Sequence, residues 1–162
     1  MERHSSRRAD LLARGRGWLA LAWALAYAYL GLASAPPVPE AAGVVRLDLA
    51  GHVAASGLLA VLVGEWTLAT RGWPRRRGLI GAGLAGAGMG ALIEVLQLGS
   101  SERSFEVLDL AADVLGASAG AWLYAVLSRR LSRRHLTRWV AGMGALALAA
   151  TALAAVAIGP GG

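Results

Sequence analysis

Five apolar runs, each close to the roughly 20 residues that a helix needs to cross a bilayer, take up most of this chain and are separated by breaks rich in arginine. They cover residues 18–35, 49–69, 78–98, 108–127 and 139–158. Hydrocarbon offers no water to the peptide groups, so spans of this kind have to be helical. A chain that is 56% hydrophobic and patterned this way is expected to be an integral membrane protein, an all-α transmembrane bundle of five helices. The first run ends in Ala33-Ser34-Ala35, which also fits a signal-peptide cleavage site. Its length, the prolines at 36 and 37 and the spans that follow favour a retained helix. Three units are expected: an arginine-rich leader over 1–17, a four-helix membrane domain over 18–130, and a loop with one additional C-terminal helix over 131–162.

Arginine placement sets the expected orientation. Five arginines lie in the leader, four between the second and third runs and five between the fourth and fifth, against only Arg46 and Arg103 in the alternate loops. Basic residues in short loops stay on the cytoplasmic side, so the expected topology has the amino terminus in the cytoplasm and the carboxyl terminus outside the cell. Trp18, Trp66, Trp73 and Trp139 then fall at the inner interface, as aromatic belts do. The formal charge of +6 is spread over separate loops, which points to the lipid bilayer as the partner and not to nucleic acid. The chain has no cysteine, so disulfides, thiolate ligands and thiolate nucleophiles are excluded.

Polar side chains inside apolar sequence are the second constraint. Asp48 and His52 open the second run four residues apart, Glu94 and Gln97 close the third three apart, and Asp109 and Asp113 open the fourth four apart. Each pair shares a helix face. With Arg103 in the polar break between them, all seven are expected at one depth, toward the outer leaflet. Gly86 and Gly90 continue the Glu94 stripe, and Gly116 and Gly120 continue that of Asp113. Small residues four apart let membrane helices approach closely. Glu65 is expected near Arg71 at the inner interface, and Glu102 and Glu106 as surface charges of the outer loop.

The composite pattern Asp48-x-x-x-His52, Glu94-x-x-Gln97, Arg103 six before Asp109, and Asp113-x-x-Gly116-x-x-x-Gly120 resembles the VanZ-like family of small bacterial membrane proteins. The resemblance covers about residues 36–127. It implies a four-helix core, a place in the cell envelope, and a link to susceptibility to teicoplanin-type glycopeptide antibiotics, which act on cell-wall precursors outside the membrane. The chain departs from the family pattern where Leu49 replaces a usual Lys, Ser56 a usual aromatic and Asp113 a usual Asn.

A charge at the centre of a bilayer costs about 2.5–3.5 kcal/mol on insertion scales, so such a cluster has to earn its place. On one reading it is a catalytic or ligand-binding site in which carboxylates hold a divalent cation, Arg103 meets the phosphate of a lipid-linked precursor and His52 serves as acid or base. On another it is an interhelical ion-pair network, with Arg103 bridging Glu94 and Asp109. A proton or ion pathway is a third reading, and no acidic residue continues the route through the middle of the third and fourth spans. Four carboxylates stand against one guanidinium and one imidazole, so a cation or a shared proton is expected to join the site.

Overall fold

The computed structural model describes residues 2–32, 47–99 and 106–157, with side chains over 14–32, 49–99 and 106–153. These residues form five helices and, among them, no strand: α1 (Glu2–Leu32), α2 (Leu47–Thr70), α3 (Arg75–Gln97), α4 (Val107–Arg130) and α5 (Arg133–Ala157). α1 runs without interruption from Glu2 through the arginine-rich leader into the first apolar run. Within the described residues, α2 to α5 are each long and apolar enough to cross a membrane. The architecture is that of a multi-pass membrane bundle.

Short connections force antiparallel neighbours. Between α2 and α3 the chain turns through Gly72, whose φ of 61° is a left-handed conformation open to glycine at little cost. Pro74 then precedes the first turn of α3 with φ −53° and ψ 134°. It breaks any continuation of α2 while its carbonyl accepts from the Gly78 N–H at 3.0 Å. α4 gives way to α5 at Leu131, which is extended, and Ser132 accepts from the Leu136 N–H at 3.0 Å to start the new helix.

The most extensive helix contact is that of α2 with α4, followed by α3 with α4 and α2 with α3. Glycine makes these approaches possible. A Cβ at Gly120 would lie 2.8 Å from the Gly57 Cα, one at Gly116 2.7 Å from the Val53 Cα, and one at Gly86 2.8 Å from the Ala117 Cβ. Lipid is as apolar as leucine, so the bundle gains from close backbone packing where a soluble protein would gain from burial. The glycine stripes read from the sequence are therefore packing surfaces, as their spacing implied.

α1 covers one side of this three-helix centre. Trp23 and Tyr27 are buried, and the Trp23 indole donates to the Ala55 carbonyl of α2 at 3.0 Å. α5 lies outermost, with Leu136 and Val140 in the core.

Candidate functional site

The buried face of α3 reads Gly78, Ala82, Gly86, Gly90, Ile93, Glu94, Gln97, and that of α4 reads Ala112, Asp113, Gly116, Ala117, Gly120, Tyr124. Both run from small residues in the middle to acids at one end. Because the helices are antiparallel, Glu94 and Gln97 near the end of α3 meet Asp109 and Asp113 near the start of α4. α2 begins at the same end and supplies His52. Five of the seven residues expected in the cluster are thus brought together at one end of the bundle. Asp48 stands in the first turn of α2 with its side chain outside the described residues. Arg103 also lies outside them, so the expected bridge from Arg103 to Glu94 and Asp109 has no described counterpart.

His52 is held between two carboxylates of α4. Its Nδ1 is 3.1 Å from Asp113 Oδ2, and its Nε2 is 3.7 Å from Asp109 Oδ2. Asp113 is fully buried and accepts a second hydrogen bond, on Oδ1, from the Tyr27 hydroxyl of α1. The edge of one ring faces the other across 6.4 Å between the Tyr27 and His52 centroids, with 77° between planes. Ring orientation therefore comes from α4. Gly90, with no side chain, leaves Asp113 room to turn inward; Asp48, one turn before His52 on the same helix, has its side chain outside the described residues.

Glu94 is buried with no exposed surface. Its Oε2 accepts from the Glu106 backbone N–H at 2.9 Å. Glu106 is thus more than the surface charge expected from sequence: its main chain caps the site. The other oxygen, Glu94 Oε1, has no hydrogen-bond partner among the described residues. One donor atom each from His52, Glu94 and Asp109 lies within 4.8 Å of the others. A hydrogen bond from the Nδ1 hydrogen to Asp113 would leave the Nε2 lone pair facing this space, which is how a carboxylate behind a ligating histidine fixes its tautomer. A nitrogen and two carboxylates supply three ligands and leave positions for water or a ligand.

Gln97 belongs to the same end but does different work. Its amide donates to the Gly31 carbonyl of α1 at 2.8 Å, next to the place where a Cβ on Gly31 would run into Ile93. It joins α3 to α1. Tyr27 is the residue that sequence reasoning missed, since a tyrosine inside an apolar run has the composition of ordinary core.

A second polar cluster sits at the opposite, arginine-rich end. Glu65 of α2 is buried; it accepts from the Tyr124 hydroxyl at 2.8 Å and the Thr137 hydroxyl at 2.7 Å. The Arg16 Nε lies 3.3 Å away. The expected neighbour Arg71 is instead stacked over the Trp66 ring, 5.1 Å from its centroid. Glu65 therefore ties α1, α2, α4 and α5 together.

A helical membrane bundle with small residues along its buried faces and one polar end defines a class of multi-pass protein built around a buried acid–histidine centre. Within it, the VanZ/LLP1 family profile matches residues 32–128, and the chain belongs to this VanZ-like family. The matched segment contains α2 and α3 whole and α4 up to residue 128, whereas Tyr27 precedes it and α5 follows it. Neither curated proteins nor solved structures gave a match.

Proposed function

We propose that the polar end of the bundle is a divalent-cation site facing the outer side of the cell membrane, through which this VanZ-like protein binds an anionic group of an envelope ligand. The observation that carries the reading is the convergence of His52, Glu94 and Asp109, with a fully buried Glu94 oxygen that has no hydrogen-bond partner among the described residues. A buried carboxylate oxygen without a donor is costly, and a cation removes that cost. Asp113 and Tyr27 hold His52 from behind, and the cation would present its remaining positions to ligand. The phosphate of a lipid-linked precursor is the ligand class that suits such a site at a membrane surface, and a role in susceptibility to teicoplanin-type glycopeptides follows from the family resemblance. The outward orientation rests on the arginine distribution.

A structural reading is favoured by one specific observation: Asp113, Tyr27 and His52 form a buried hydrogen-bonded set joining α1, α2 and α4. Glu94→Gln separates the two. This variant keeps the shape and the acceptor for the Glu106 N–H but removes the charge. A binding site predicts that glycopeptide susceptibility of cells carrying the variant changes to that of cells lacking the protein, at unchanged membrane abundance. Loss of abundance in step with the phenotype supports the network alone. Purified protein given a lipid-linked pyrophosphate distinguishes turnover from binding by release of phosphate.

A further inference from the structure

A groove of about 1080 Å³ opens between α1 and α3, floored by α2. At the polar end the two helices are joined through Gly31, Ile93 and Gln97. Toward the arginine-rich end they leave the space that Trp18 and Leu21 line from α1, Leu59 and Val63 from α2, and Leu84 and Met89 from α3. Its volume is at the upper limit of the roughly 300–1,000 Å³ of small-molecule sites, and its walls are apolar along most of their length. Gly88 widens it further, since a Cβ there meets nothing within 4 Å.

The chemistry changes at one end only. Arg14 and Arg71 line the mouth with Trp66, and Arg71 is seated over the Trp66 ring. Among the described residues neither arginine has an ion-pair partner, whereas Arg16, on the same helix as Arg14, is turned to Glu65. An apolar slot capped by two cations and an indole at the depth of an interface matches an anionic amphiphile: chain in the slot, headgroup on the guanidinium groups. A second copy of this chain would bring its own arginines to the same level, which charge repulsion disfavours.

We propose that this groove is a binding site for one anionic phospholipid of the leaflet at the arginine-rich end, separate from the His52 cluster and independent of its proposed role. The site is selective through Arg14 and Arg71 and receives an acyl chain beside Gly88.

The test is native mass spectrometry of the full-length protein in detergent, offered equal amounts of phosphatidylglycerol and phosphatidylcholine. The expected result is one retained lipid per chain with about thirtyfold preference for phosphatidylglycerol, the scale set by two arginines at a membrane surface. Replacing Arg14→Gln together with Arg71→Gln should bring the preference close to one, and Gly88→Leu should lower retention of both lipids. Circular dichroism reports whether each variant is folded; should Gly88→Leu fail to fold, the arginine pair decides alone. Equal retention of the two lipids by the native protein, a preference that survives loss of both arginines, or a dimer that binds no lipid would each overturn the proposal.

Discussion

Tyr27 of α1 and Asp113 of α4, 86 positions apart, meet in a buried hydrogen bond in which the phenol donates to Oδ1. The carboxylate that orients His52 is thus itself held from a helix that precedes the matched family segment. Tyr27→Phe leaves the ring in place and removes the donor. An unsatisfied buried acceptor costs about 1–3 kcal/mol, so the midpoint of thermal unfolding in detergent should fall. Stability equal to that of the native protein would show that Asp113 does not depend on α1.

Asp113→Asn tests the second function of that carboxylate. An asparagine fits the same space and can accept from Tyr27 through its oxygen. Its amide donates to His52 Nδ1, which moves the ring hydrogen to Nε2 and removes the lone pair from the cation space. Folding should be preserved, while cation affinity should fall about 10–100-fold, as for other partners behind a ligating histidine. Calorimetric titration with the cation measures it; unchanged affinity would exclude Nε2 as a ligand.

Gly90 tests the packing that admits the cluster. A Cβ there would collide with the Asp113 carboxylate, whereas one at Gly51 meets nothing within 4 Å. Gly90→Ala should destabilise by about 1–3 kcal/mol, as overpacking does, and Gly51→Ala should be neutral or stabilise by up to about 1 kcal/mol through helix propensity. Unfolding in denaturing detergent compares the two, and a harmless Gly90→Ala contradicts the close approach.

Orientation is tested on intact cells. The absence of cysteine makes single-cysteine labelling clean. Ser101→Cys, between α3 and α4, should react with a membrane-impermeant thiol reagent. Ser132→Cys, between α4 and α5, should react only after lysis. The reverse pattern would put the His52 cluster on the cytoplasmic side and remove the case for envelope ligands.

Spans, small-residue stripes and the depth of the cluster were legible in the sequence because period and composition carry them: Glu94 with Gln97, and Asp109 with Asp113, lie on faces that the glycines continue. Partner choice was not. His52 meets Asp113 of α4 because a contact between helices depends on which side chain the facing helix leaves room for. Gly90 makes that room, and nothing in the spacing of α2 reports it. Tyr27 and Arg16 escaped notice for a related reason. One sits in an apolar run and the other in an arginine cluster, so neither contrasts with its neighbours. Glu106 acts through its backbone, which no residue pattern encodes.

A divalent cation held by His52, Glu94 and Asp109 at the polar end of the bundle is the proposal on which the binding role rests. Elemental analysis of the detergent-purified native protein, beside Glu94→Gln and His52→Ala prepared identically, tests it most directly. About one divalent ion per native chain is expected, with a loss of most of it in both variants at unchanged helical content. A native protein without bound ion after exposure to divalent cations, or variants that keep it in full, would contradict the account and leave the polar end as an interhelical network.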